Sequence, residues 1–347
     1  MKKGVIEIQF NWIFVLIAGA IFLVFFGLVA RGIAKSGEQS LDYEIINYLD
    51  GITTSLESSP LTEHSIELLD KEINVDCDFL SIKGHNFEGI GLKNKALFSP
   101  DSLKENITSY TLFWETPFKA SYMMYATSPD VKYVIIKDAN NLYEKLWNPI
   151  YPDKAALPKN IKIELVDSGA TIEGSGFRKL RIITFSENLD TININRDGIK
   201  PKDISAIKIK KIAGDFPNGH GEVTFYIFKD NNFETSTENE HLYFNKASLI
   251  GAIYSETAPL YECNMNKAIG KMKLVAESLK LKSNSLNGNI KAICPKQTKT
   301  KDYGGINDEL DKLTDIDITQ LDQVDRISDN VNGFNKDLIN AACPFLY

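Results

Sequence analysis

The sequence predicts an α/β or α+β ectodomain: a mixed β-sheet covered by helices, behind one N-terminal transmembrane helix and ahead of a helical C-terminal region. Three observations carry that prediction. Ile8 to Ala30 is a run of twenty-three residues without a charge, solid apolar blocks of strand length recur between Ile73 and Glu256, and apolar positions fall at helical spacing from Cys263 onward. These divide the 347 residues into an anchor (1–35), an amphipathic stalk helix and linker (36–72), a mixed-sheet domain (73–262) and a helical region (263–347) packed on that domain.

The anchor follows from length. At about 1.5 Å per residue, Trp12 to Ala30 reaches roughly the ~30 Å of a bilayer's hydrocarbon core. Trp12 suits the interface. Lys2 and Lys3 precede the run, and Arg31 and Lys35 follow it, so the positive-inside rule alone is nearly balanced. A short head before a long tail, an even number of cysteines and the sequon Asn106-Ile107-Thr108 together favour a cytoplasmic N-terminus and an extracytoplasmic bulk. The expected setting is the cell membrane, single-pass, with the lipid bilayer as partner through residues 8–30 and Asn106 as a glycosylation candidate.

The segment Lys3-Gly4-Val5-Ile6 resembles the class III signal of archaeal pilin-like proteins, in which a peptidase cuts after glycine and the apolar helix is retained. Glutamate stands fifth after the cut in bacterial prepilins; here Glu7 is third and Gln9 fifth. The run QFNWIFVLIAGAIFL is similar to the N-termini of uncharacterised single-span envelope proteins of small-genome archaea. That resemblance implies an envelope location and no particular activity.

Beyond the anchor, Leu41, Ile45, Tyr48 or Leu49, Ile52 and Leu56 recur at helical spacing, up to the stop at Ser58-Ser59-Pro60. Thr62 could cap a short helix through Leu69. Strands are then predicted over Val75–Ile82, Val131–Lys137, Ile161–Val166, Leu180–Phe185, Ala206–Ile209, Val223–Phe228 and Leu249–Tyr254. The blocks VKYVIIKD, LRIITFSE, VTFYIFKD and LIGAIYSE read as strands buried on both faces, which calls for covering helices. A helix is expected from Asn140 to Trp147 and another from near Leu260. The stretch between Val166 and Leu180 reads as a hairpin connection, and Gly214 to Gly221 as the turn of an antiparallel pair. Met265, Ala268, Ile269, Met272, Val275 and Leu279 mark a helix ending before Ser283. Leu310, Leu313, Leu321, Val324, Ile327, Val331, Phe334 and Leu338 mark an acidic one broken near Asp315-Ile316-Asp317. Pro295 to Gly305 reads as an exposed loop.

Composition excludes some functions. Acidic residues exceed basic ones by 46 to 39, leaving a net charge of −7 and no concentrated basic face, so nucleic acid is not an expected partner. His64, His85, His220 and His241 are scattered, and no HExxH, GxSxG, GxxxxGK[ST] or GxGxxG motif occurs. Gly174-Ser175-Gly176-Phe177 is too short to cradle phosphate. No catalytic residue and no cofactor is therefore assigned. Four block-ending acids, Asp138, Glu187, Asp230 and Glu256, could share a divalent cation if their strands were parallel neighbours, although an acid in that position more often caps a helix or opens a turn.

Cys77, Cys263, Cys294 and Cys343 lack the spacing of a zinc site and are read as disulfide candidates. Three pairings are open. Cys263–Cys343 with Cys77–Cys294 is preferred, because it ties down a C-terminus that would otherwise fray; Cys294–Cys343 is the close rival. The functional expectation is a membrane-anchored envelope protein with a structural or binding role, able to engage another envelope protein. A pilin-like subunit and a membrane-tethered metal-dependent enzyme are the alternatives.

Overall fold

In the computed structural model, residues 4–58, 63–83, 90–150, 156–158, 161–185, 189, 192–237, 240–288 and 300–347 are described. Glu187, Cys294 and His85 lie outside them. The chain forms two compact units, residues 1–51 and residues 52–347. Helix α1 (Gly4–Ser58) makes up the first and continues into the second. It ends at the serine-proline stop, and within it Ile45 and Leu49 are buried whereas Tyr48 is exposed. Among the described residues no helix is long and apolar enough to cross a membrane; the described side chains in this part of α1 run only from Val15 to Arg31.

The second unit holds two large sheets. The first comprises β1 (Glu63–Val75), β2 (Phe79–Ile82), β3 (Ile90–Gly91), β4 (Ala96–Phe98), β5 (Ser102–Glu115) and β6 (Lys119–Thr127), in the order β3-β2-β1-β5-β6-β4. All its pairs are antiparallel except β4 with β6. The helix expected after Thr62 is thus a strand, since Ile66 and Leu68 alternate inward with exposed Ser65 and Glu67, and Glu63 to Glu67 pair with β5. Val75–Ile82 is the end of β1, a turn and β2, not one strand.

The second sheet is mixed, as predicted. It contains β7 (Val131–Ile136), β8 (Lys162–Val166), β10 (Lys179–Thr184), β12 (Ile204–Ala213), β13 (His220–Lys229) and β14 (Asn232–Thr235), with β15 (His241–Phe244) also on β13. Its order is β14-β13-β12-β10-β7-β8, and β8, β7, β10 and β12 are mutually parallel. The Gly214–Gly221 turn does join an antiparallel pair, β12 and β13. The stretch after Val166 is not a hairpin connection: β8 and β10 both run parallel to the intervening β7, so the chain must cross over. On the way it forms β9 (Thr171–Glu173), which pairs with β11 (Asn193–Asn195).

That small sheet explains the solid apolar blocks. One face of the second sheet, with Tyr133, Ile183 and Ile207, joins the large core shared with the first sheet and the helices. The other face, with Val134, Ile182 and Ala206, packs on Ile172, Ile199 and their neighbours around β9 and β11. Two-sided burial is met by helices on one side only.

The helices are α2 (Leu142–Leu146), α3 (Asn245–Tyr254), α4 (Ala258–Gly288), α5 (Thr300–Asp315) and α6 (Leu321–Asn340). Leu249–Tyr254, expected as a strand, is the body of α3. It is sheathed on all sides, every residue from Ala247 to Tyr254 being buried, so no helical period survives in its sequence. Helix α4 runs past Ser283, which is buried and donates to the Tyr303 carbonyl. The acidic segment breaks where predicted: Asp317 caps a short 3-10 turn ahead of α6. Residues 300–305 are the first turns of α5 and not a loop, and Tyr303 is fully buried.

Candidate functional site

Three cations enter the middle of the second unit on β10 and the residue before it. Lys179 and Arg181 point to the same side of a central strand and are buried, which such groups tolerate only when paired. Lys179 Nζ lies 2.5 Å from Asp101 Oδ1 and 2.5 Å from Glu256 Oε2. Burial opposes its charge, but Glu256 and Asp101 outweigh it and hold the ammonium above its usual range. Burial raises Glu256. Arg178 bonds Asp130 Oδ2 at 2.5 Å and reaches the Ser102 hydroxyl and carbonyl at 2.9 and 3.0 Å.

Arg181 donates to the carbonyls of Ala252, Ile253, Ser255 and Glu256 at 2.6–3.3 Å, closing the C-terminal end of α3. It also lies over the Phe225 ring, 5.4 Å from its centroid. Burial lowers its pKa to about 10. The cavity beside Lys179 and Arg181 holds about 10 Å³, at most one water. With donors directed at protein acceptors and no room for a ligand, this cluster ties the first sheet, β10 and α3 together.

Open space lies elsewhere. A cleft of about 740 Å³ sits beyond the carboxyl ends of β7, β8, β10 and β12. Its wall carries Lys137, Asp138, Ser168 and Lys211, over an apolar floor that includes Ile136, Phe185 and Ile209. Lys137 pairs with Asp167 at 2.9 Å, and Lys210 with Glu222 at 2.7 Å. A second cleft of about 510 Å³ exposes one side of Arg178 and is lined by both signs of charge, Glu72, Lys83 and Lys202 among them.

The three strand-end acids that are described, Asp138, Asp230 and Glu256, do not converge. Asp138 sits ahead of α2, its two oxygens accepting from the Asn140 and Tyr143 amides. Asp230 sits in the β13–β14 turn, at the opposite end of the sheet because β13 is antiparallel to β12. Glu256 follows a helix and is the counter-ion of Lys179 at the start of β10. Among the described residues the one cluster of potential metal donors is Cys77, Asp78 and Cys263, whose thiols are bonded to each other.

That bond also corrects the preferred pairing. Cys77 pairs with Cys263, because α4 begins beside the turn after β1 and brings the two Cα atoms to 6.1 Å. Cys343 is itself disulfide-bonded. Asn106 is exposed on β5, beside a bulge at Glu105.

One relay had no signal in the sequence. His241 accepts or donates at 3.0 Å to the Thr237 hydroxyl through Nε2, and its Nδ1 lies 3.0 Å from Glu262 Oε1. Burial lowers its pKa against the pull of Glu262. The order hydroxyl, imidazole, carboxylate is that of a nucleophile relay, yet neither large cleft is lined by Thr237 or His241. Lys179 and Arg181 were missed although two cations two residues apart in an apolar block place both on one buried face.

No family model, curated protein or solved structure matches this chain.

Proposed function

We propose that the chain is a membrane-anchored protein of the cell envelope, with its N-terminus in the cytoplasm, its bulk outside, and a structural or binding role. One observation carries the reading. Eleven large apolar side chains between Val15 and Val29 are 40–77% exposed on α1. At about 1.5–3 kcal/mol for each such side chain withdrawn from water, covering them is worth on the order of 10 kcal/mol or more. A bilayer supplies that cover along a helix of this length, and the uncharged run from Ile8 to Ala30 continues it in both directions.

The Cys77–Cys263 bond fits an oxidising compartment, and exposed Asn106 fits a glycan acceptor there. The resemblance to single-span archaeal envelope proteins points the same way. Deleting residues 1–35 is the test: the full chain should pellet with membranes through a high-salt wash, and the truncated chain should be released. A truncated chain that still pellets defeats the anchor reading. Protease added to intact cells should degrade the tail; complete protection would reverse the orientation. N-terminal sequencing separates the pilin-like variant, which would begin at Val5, from an uncut anchor beginning at Met1.

A further inference from the structure

The geometry points to the cleft at the carboxyl ends of the parallel strands as a binding site for a small organic anion, a phosphate or carboxylate group attached to a flat apolar body. The first argument is topological. The four parallel strands lie in the spatial order β8-β7-β10-β12 but follow one another as β7, β8, β10, β12. The chain therefore leaves β7 toward one edge, then crosses back to fill the other side. Connections diverge between β7 and β10 and leave a crevice outside their carboxyl ends, the place where open α/β sheets take ligands. The 740 Å³ cleft is lined by the residues that follow β7 and by Thr184 and Phe185 at the end of β10. That volume is in the range of small-molecule sites.

The second argument is charge. Among the described residues the lining holds three ammonium groups, Lys137, Lys210 (paired with Glu222) and Lys211, and one carboxylate, Asp138. Asp138 is held by the backbone amides of Asn140, ahead of α2, and of Tyr143, in its first turn. Lys137 has its partner Asp167 at the surface, with side chains 38% and 78% exposed, and water screens a pair so exposed. A ligand anion can take its place. Among the described residues Lys211 makes no ion pair. The described lining is thus arranged for an anion.

The third argument is the floor. Phe185 is half-buried and held edge-on by Phe216 at 5.7 Å, so its ring is a fixed apolar surface, extended by Ile136 and Ile209. A flat body resting there puts its acid group toward the lysines.

Calorimetric titration of the full-length protein in detergent micelles tests this with two matched pairs: adenosine monophosphate against adenosine, and benzoate against benzamide. At least one anion should saturate, about fivefold or more tighter than its neutral counterpart, which is one unit-charge contact of ~1 kcal/mol in water. Lys211→Gln and Lys137→Gln should each remove about that factor, while Phe185→Ala weakens the anion and its neutral counterpart alike. Circular dichroism should show all three variants folded. The phosphate and carboxylate arms separate the two acid groups. No saturation by either anion at millimolar concentration overturns the inference. Neutral probes that bind as tightly as the anions, or lysine variants with unchanged affinity, overturn it too.

Discussion

Replacing Lys179 with methionine removes the central cation of the buried cluster and leaves the shape of its side chain nearly intact. Its two partners respond differently. Asp101 is 59% exposed and regains water, whereas Glu256 is 9% exposed and is left as a buried charge without the counter-ion that bonds it. Glu256 can escape only by taking up a proton. Its ordinary value is 4.5, so holding it neutral costs about 3.5 kcal/mol at pH 7 and about 0.7 kcal/mol at pH 5. The sign follows from linkage. In the variant the folded-state pKa of Glu256 is raised above the unfolded value, so stability is retained at low pH and lost as pH rises toward the folded pKa. Lys179→Met should therefore lose roughly 3–4 kcal/mol at pH 7 and much less at pH 5. Adding Glu256→Gln should recover part of the pH 7 loss. Denaturant titration followed by tryptophan fluorescence reports the transition, because Trp114 is fully buried in the core shared by both sheets. Equal losses at pH 5 and pH 7, or a loss below about 1 kcal/mol at pH 7, would refute the assignment of Glu256 as the stranded charge.

Arg181→Met should destabilise by at least about 3 kcal/mol, since four buried carbonyls at the end of α3 lose their donor; Arg181→Lys should restore only part, and a midpoint shift equal to wild type would refute the capping role. Mass spectrometry of a non-reduced digest should yield the Cys77–Cys263 peptide pair. The Cys77→Ser/Cys263→Ser variant should lose up to about 5 kcal/mol, the chain-entropy value for a closed loop of 186 residues. Gly304 and Gly305 make a matched pair in α5. A Cβ on Gly304 meets nothing within 4 Å, so Gly304→Ala should stabilise by up to about 1 kcal/mol; on Gly305 it would stand 2.5 Å from Phe334 Cζ, so Gly305→Ala should cost about 1–3 kcal/mol. Thermal melts in which both variants shift the same way would contradict that packing.

Legibility in the sequence followed the reach of each interaction. The cores of β7, β8, β10, β12 and β13, and the helices after Cys263, could be read because apolar runs and helical spacing are local patterns. Strand β1 was also legible in principle, since His64 to Leu68 alternates, but Thr62, just after the serine-proline stop, suggested a capped helix. The block Leu249–Tyr254 was not readable by period at all: a helix buried on every side and a strand buried on both faces have the same composition. That one misreading carried the site with it. Glu256 looked like the acid at the end of a strand and so like a metal ligand; with α3 a helix, it is the residue that follows the helix, delivered to Lys179.

The partners of Lys179 lie 78 and 77 residues away along the chain, at Asp101 and Glu256, and no short-range pattern announces them. What the sequence did contain was the demand. A lysine and an arginine on one face of KLRIIT cannot be buried alone, so the fold must supply a carboxylate from the first sheet's side and carbonyls from a helix end. Once those are in place the two sheets can no longer be separate domains, because the charges of β10 are neutral only while the first sheet and α3 are packed against it. The single large core reaching from Phe98 and Trp114 through Tyr133 and Ile183 to Leu338 is the apolar counterpart of that constraint.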